Sequence, residues 1–301
     1  MTKNRNFMRR FLFSAALLSL ALPACTSGGA PATGGAVATM STLASLTSAV
    51  VSPHLAVTSL VPVGASVEEF QPRPRDVATL HGARLLVENG AGLETWLRDT
   101  IDGAKNPELR VIVCTAGLPV EQQNPHLWMD PAYAKIYVEK IAAAAALADP
   151  ADARDYAEAS QRYGRRLDQL DRWIRMQIAT IPPDRRTMIV FHNAWYYYAK
   201  RYGIQLVGVV ERNPGQEPSA YELANLVDLA KRHHVRAVFA EPQFSPKLVQ
   251  QLARSAGIRT VENLYDDSVG ERPEVADYVS MMRYDTVTIV KALGGGDGSH
   301  A

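Results

Sequence analysis

Short apolar runs alternate with longer amphipathic segments along most of the chain. Such runs, three to six residues long, are typical of strands buried inside a sheet, and the segments between them have helical periodicity. This alternation predicts α/β units with parallel sheets. The predicted strands are Ala36–Met40, Ala56–Val61, Val111–Thr115, Thr187–Phe191, Gln205–Val210, Ala237–Ala240 and Arg259–Val261.

A long amphipathic helix is predicted from about Asp152 to Thr180, between the third and fourth of these runs. Its apolar residues recur every three or four positions, and Pro182-Pro183 ends it. At 1.5 Å per residue the helix would be roughly 40 Å long, which exceeds the width of one small domain. We therefore expect it to connect two lobes.

The helices of the second lobe carry recognisable boundary signals. Ser219 to Glu222 reads as a capping box, and Ser245-Pro246 reads as the N-cap and first turn of a helix that ends at Gly257. The last helix is predicted from about Pro273 to Leu293.

The first residues are typical of a secretion signal. Four basic side chains precede the apolar run from Phe11 to Leu22, which is too short to span a bilayer. The run ends in Leu22-Pro23-Ala24-Cys25, which resembles the bacterial lipobox, so Cys25 is the predicted lipidation site. An ordinary cleaved signal or a buried cysteine is the alternative. Acyl chains would hold the protein at the extracytoplasmic face of the cell membrane.

The fold class is therefore α/β, with two lobes joined by one helix. The predicted parts are a signal peptide (1–24), a Gly/Ser/Thr/Pro-rich tether (25–35), an N-terminal lobe (36–150), the linking helix (151–182), a C-terminal lobe (183–293) and a disordered tail (294–301).

Composition and charge exclude several classes of protein. An apolar content of 47% with 21% charged residues is globular. The chain has 32 basic and 31 acidic residues, and removing the four basic residues of the signal leaves 28 − 31 = −3. This near-neutral body lacks the basic patch of a nucleic-acid binder. Two cysteines, Cys25 and Cys114, exclude a disulfide scaffold and a multi-cysteine zinc site.

Four potential metal ligands come shortly after predicted strands. They are Glu68, His126, His192 and Asp267. Ligands of open α/β sheets bind beyond the carboxyl ends of the strands, where these four side chains would converge. Two imidazoles and two carboxylates are a reasonable donor set for a divalent cation.

Several segments together resemble the TroA-like family, the zinc/manganese solute-binding proteins of bacterial ABC importers. The resemblance runs from Val37 to Leu293. It is carried by VTSLVPVGASVEEFQPRPRDVATL, NPHLWMDP, FHNAWYYYAKRYGI, EPSAYELANLVDLAKRHHVRAVFAEPQF, the Tyr265–Gly270 stretch and MMRYDTVTIVKAL. It implies two α/β lobes on one rigid helix and a divalent metal bound between them. It also implies a monomeric, non-enzymatic, lipid-anchored protein that delivers this metal to a permease and its ATPase and needs no organic cofactor.

By the same resemblance, His126, His192 and Asp267 match family ligands, whereas Glu68 stands where the family has histidine. We expect Glu68 to coordinate, with Glu69 as the alternative ligand. A site with two nitrogen and two oxygen donors favours manganese or ferrous iron relative to zinc. A cell-surface adhesin with a weakened site and a secreted metallohydrolase are the competing functions, although no HExxH or GxSxG motif is present.

The remaining polar and reactive candidates are interpreted as structural. They are four histidines of the folded body, two glutamates near strand ends and one cysteine on an apolar strand: His54, His81, His233, His234, Glu211, Glu241 and Cys114. For the two glutamates, support of the metal site is the alternative interpretation.

Overall fold

The computed structural model describes residues 34–212 and 215–296. The predicted signal peptide, the lipidation site Cys25, most of the tether and the end of the tail lie outside the described residues.

Two parallel four-stranded sheets form the framework, one in each lobe. The first sheet has the order β2-β1-β3-β4, and the second has the order β6-β5-β7-β8. All neighbouring strands in both sheets run parallel. The strands are β1 (Ala36–Ala38), β2 (Val57–Ser59), β3 (Leu85–Glu88), β4 (Arg110–Val113), β5 (Thr187–Val190), β6 (Gln205–Val209), β7 (Ala237–Phe239) and β8 (Arg259–Val261).

Helices cover the faces of both sheets, which is why the central strands are mostly apolar, with Glu88 at the end of β3 and Thr187 at the start of β5 as exceptions. β1 and β7 are buried at every residue. The helices are α1 (Ser41–Val51), α2 (Pro74–His81), α3 (Leu97–Ala104), α4 (Pro131–Ala148), α5 (Ala153–Ala179), α6 (Tyr196–Tyr202), α7 (Ala220–Arg232), α8 (Lys247–Ala256) and α9 (Tyr278–Leu293). None of the helices in the described part of the chain is long and apolar enough to span a membrane.

The predicted linking helix is α5, which packs against α1 and α4 of the first lobe and against α6 and α9 of the second. Its buried side chains follow the apolar stripe of the sequence, from Tyr156 to Ile178. One apolar cluster continues from the first lobe through α4 and α5 into the second lobe. The boundaries proposed above for the two lobes remain predictions.

Three sequence expectations about elements need correction. Strand β3 is absent from the predicted strands; its four residues come shortly after α2 and form a strand by pairing with both β1 and β4. Ser245 does not cap α8, whose N-cap position is Pro246 and has no side-chain hydrogen bond. The last helix begins at Tyr278 behind the capping residue Asp277, since Pro273–Val275 forms a separate 3-10 turn.

Candidate metal centre

The four predicted ligands all follow carboxyl ends of strands, on loops of both lobes. Glu68 lies in the loop after β2, His126 after β4, His192 directly after β5, and Asp267 after β8. Parallel strands direct these loops toward the same edge of each sheet. The two edges therefore form the walls of one cleft.

The two histidines meet in the cleft through their Nε2 atoms, which lie 3.2 Å apart. Both side chains are buried. His126 Nδ1 lies 2.9 Å from Asn124 Oδ1, and His192 Nδ1 lies 2.5 Å from Glu241 Oε2. With each Nδ1–H donating to an oxygen acceptor, the two Nε2 atoms are left facing each other. Two ring nitrogens this close need a shared cation, either a proton or a metal ion.

Asp267 supplies the negative charge of the site. Its side chain is 1% exposed, and Oδ1 lies 3.8 Å from His126 Nε2. Neither carboxylate oxygen has a hydrogen-bond partner in the described structure. A buried carboxylate without a partner is costly, so the group is matched to a positive ligand. One ligand atom from each of His126, His192 and Asp267 lies within 4.8 Å of the other two.

Protonation of the site without a metal follows from burial and from neighbouring charges. Burial, and then His192, holds the pKa of His126 well below its ordinary value. Burial also lowers the pKa of His192, but Glu241 and Asp266 outweigh it, so the net shift is well upward. Burial and Asp266 raise the pKa of Asp267. Protons therefore occupy the metal-free site, and a metal ion must displace them to bind.

Glu68 lies at the margin of this cluster. It is half-buried, and burial raises its pKa while the charge of His192 opposes that shift. Its charge also acts on Asp267, yet its carboxylate is not among the three ligand groups that meet within 4.8 Å. Glu69, the alternative ligand, is exposed, and its carboxylate lies against Gly215 of the second lobe.

The supporting residues of the site were largely missed from the sequence. Asn124 Oδ1 accepts from both the backbone N–H and Nδ1–H of His126, and its amide donates to the Asn193 carbonyl at 2.6 Å. We interpreted Glu241 as structural, but it is the direct partner of His192. Its position two residues after the end of β7 was the available signal. Glu211 accepts from the Gly215 backbone N–H at 2.7 Å.

Asp266 holds the loop that carries Asp267. Its Oδ1 accepts from Gln243 Nε2 at 2.7 Å and from the Asp267 backbone N–H at 2.6 Å. Its carbonyl accepts from Trp128 Nε1 at 3.0 Å and from Thr42 Oγ1 at 3.2 Å. Because Trp128 and Thr42 belong to the first lobe, the Asp267 loop is positioned by both lobes.

The model of the ZnuA family, described as "Zinc-uptake complex component A periplasmic", matches residues 36–292. The chain belongs to this family. The match includes both sheets, the linking helix and all four predicted ligands.

Curated relatives cover most of the chain. The manganese-binding lipoprotein MntA of Halalkalibacterium halodurans is 29% identical over 95% of this chain and 99% of its own length. The iron-binding protein YfeA of Yersinia pestis is 32% identical over 79% of each chain. Among solved structures, the periplasmic zinc binding protein TroA of Treponema pallidum superposes with a TM-score of 0.80 at 23% identity, over 86% of this chain and 99% of TroA. This structural likeness confirms the predicted two-lobed α/β fold.

Proposed function

We propose that this protein is the lipid-anchored binding protein of an ABC importer, and that it captures a divalent transition metal in the cleft between its lobes. The observation that carries the proposal is the convergence of two buried imidazole Nε2 atoms, 3.2 Å apart, beside the unpartnered carboxylate of Asp267. Nitrogen and oxygen donors in a buried pocket form a site for manganese, ferrous iron or zinc. Membership of the zinc-uptake family supports the transport role.

The ligands in this proposal are His126, His192 and Asp267, with Glu68 as the fourth. Three of these groups already lie within 4.8 Å of one another. Glu68 is close enough for its charge to act on Asp267 and His192, and this closeness supports it as the fourth donor. The two oxygen donors would shift the preference of the site from zinc toward manganese or iron. A site with three histidines would favour zinc more strongly.

The cargo is released to a membrane permease driven by an ATPase, and the protein itself catalyses no reaction and holds no organic cofactor. The names of the relatives support this role, because MntA is a manganese-binding lipoprotein and YfeA an iron-binding protein. The metal is therefore the transported substrate.

Lipidation of Cys25 is the proposed means of attachment at the extracytoplasmic side of the membrane. Replacing Cys25 with alanine should move the protein from the membrane fraction to the soluble fraction, because no acyl chain would then hold it. Cell fractionation followed by immunoblotting measures this change, and mass spectrometry of the wild-type N-terminus identifies the acyl group. A Cys25→Ala variant that stays in the membrane fraction would contradict the proposal.

Metal analysis together with titration tests the proposed function. Purified protein should contain close to one equivalent of manganese, iron or zinc, and the metal-free protein should bind each of them in calorimetric titrations. Loss of a residue that only orients a metal ligand commonly lowers metal affinity by roughly 10 to 100-fold. His126→Ala and Asp267→Ala remove the ligand itself, so each should lower the affinity by at least that factor. His81→Ala, at the end of α2, is the matched control. Folded ligand variants that keep wild-type affinity would overturn the assignment.

A further inference from the structure

A second cluster of metal-ligating side chains lies away from the cleft. It consists of His54, in the turn between α1 and β2, and of Asp152 and Asp155 at the start of α5. His54 precedes β2, whereas the cleft loops follow the carboxyl ends of their strands, so this cluster lies at the opposite edge of the first sheet. None of its residues takes part in the proposed cargo site.

The imidazole of His54 is held between the two carboxylates. Its Nδ1 lies 3.0 Å from Asp152 Oδ2, and its Nε2 lies 3.1 Å from Asp155 Oδ2. The ring of Tyr156 packs edge-on against it at 5.6 Å, and the Tyr156 hydroxyl is itself fixed by Asp149 at 2.7 Å. The orientation of the imidazole is therefore set by three contacts from the start of α5.

The charges of the cluster do not balance. Neither Asp152 nor Asp155 forms an ion pair with a lysine or an arginine within residues 34–212 and 215–296. The adjacent Arg154 pairs with Glu158 at 2.9 Å, and Arg84 lies 3.9 Å from Asp149. Two carboxylates thus share one imidazole, and the cluster keeps negative charge even when that imidazole is protonated. A divalent cation would neutralise it.

We propose that His54, Asp152 and Asp155 form a second, exposed site for a divalent transition metal, for which zinc is the probe. Asp152 accepts from Nδ1–H and fixes the tautomer, as carboxylates commonly do for histidine ligands. Nε2 and Asp155 Oδ2, which contact each other in the metal-free protein, would then bind the ion together by exchanging that contact for bonds to the metal. The distance of 3.1 Å between His54 Nε2 and Asp155 Oδ2 is close to the roughly 3.3 Å that separates two ligand atoms of a tetrahedral zinc ion. Water molecules complete the coordination, so the site binds more weakly than the cargo site.

Zinc stoichiometry tests this site in the full chain. Equilibrium dialysis with elemental analysis should give two zinc equivalents for the wild type and one for His54→Gln or Asp155→Asn. His81→Gln, which removes a histidine outside both clusters, should keep two. Circular dichroism shows whether each variant is folded, and Asp155→Asn provides a second reading if His54→Gln is not.

A second background separates this proposal from the proposed function. His126→Ala/His192→Ala should bind one equivalent, and adding His54→Gln should leave none. If the cargo site is wrongly assigned, the double variant will bind as much zinc as the wild type, while His54→Gln still removes one equivalent. A folded His54→Gln that binds as much zinc as the wild type overturns the second site: the cluster is then only an ion pair.

Discussion

Each proposed histidine ligand of the cleft is oriented by an acceptor at Nδ1, the nitrogen that faces away from the proposed metal position. For His126 this acceptor is Asn124, which also donates to the carbonyl of Asn193, next to His192. One amide side chain thus connects the two histidine loops. For His192 the acceptor is the buried carboxylate of Glu241. A metal ion meets both Nε2 atoms already in place, which reduces the ordering that binding requires.

We expect Asn124→Ala to lower metal affinity about 10 to 100-fold, because His126 loses the acceptor that fixes its tautomer and its loop. Calorimetric titration with zinc and manganese measures the loss. Asn106→Ala is the matched control, since Asn106 donates to the carbonyls of Leu80 and Ala83 and contacts no ligand. The control should reduce thermal stability and leave affinity unchanged. Equal affinities for Asn124→Ala and wild type would exclude this positioning role.

Glu68 is the predicted ligand at the margin of the cluster, and two substitutions define its role. Glu68→Ala should weaken binding of every metal tested, because it removes a proposed oxygen donor. Glu68→His should keep binding but shift preference toward zinc, since imidazole suits zinc better than manganese. Competitive titrations of both variants measure these shifts, and Glu69→Ala tests the alternative ligand in the same way. If Glu68→Ala leaves affinity unchanged, Glu68 is not a ligand.

Among the elements, the beginnings of α7 and α8 show how far local sequence signals determine a helix. Ser219 Oγ accepts from the Glu222 backbone N–H at 3.3 Å, and the Glu222 carboxylate accepts from the Ser219 backbone N–H at 2.8 Å. This reciprocal pair is the predicted capping box. At the start of α8 the sequence offers a similar serine, Ser245. The N-cap position is instead Pro246, and no side chain forms a capping hydrogen bond there.

The two serines therefore form a matched pair for a stability measurement. Ser219→Ala should lower the free energy of unfolding by about 1 kcal/mol, the usual cost of losing an N-cap side chain. Ser245→Ala should change it by less than about 0.5 kcal/mol, as for most exposed sites. Denaturant unfolding followed by circular dichroism measures both values. A larger loss for Ser245→Ala than for Ser219→Ala would contradict the capping assignment.

On the scale of the whole molecule, buried acids link stability to pH. Burial raises the pKa of Glu241 to about 8, and burial together with Glu94 raises that of Glu88 to about 7. The pKa of His192 is raised as well. The pKa of His126 is lowered, which by itself would make stability rise with pH. At pH values above 6.5, the ordinary histidine pKa, His126 is neutral in both the folded and the unfolded state, so it no longer contributes to the pH dependence. Between about pH 6.5 and 8 the folded protein consequently binds more protons than the unfolded chain.

The metal-free protein should therefore lose thermal stability as the pH rises from about 6.5 to 8, because the folded state must give up protons that it holds more tightly. A bound divalent metal should raise the melting temperature most at the upper end of this range, where fewer protons compete for the ligands. Calorimetric scans with chelator and with zinc measure both effects. Glu88→Gln should reduce the pH dependence without altering zinc affinity. A metal-free protein that becomes more stable over this range would refute the linkage.

Local signals in the sequence determined much of this protein. Apolar runs identified seven of the eight strands, and the apolar stripe identified α5 to within a residue at each end. Both predictions depend only on periodicity along the chain, which a buried strand or an amphipathic helix imposes on its own residues. The same runs located four candidate ligands, because ligand loops follow strand ends in α/β proteins.

Only the tertiary structure decided which groups surround those ligands. Asn124, Glu241 and Asp266 each form a hydrogen bond with a residue on another loop of the cleft. The periodicity of apolar residues along the chain does not predict such contacts. Strand β3 became a strand because it pairs with both β1 and β4, an environment that its four residues do not encode alone. Likewise, His54 gained two carboxylate neighbours only when the α1–β2 turn packed against α5, about 100 residues further along the chain.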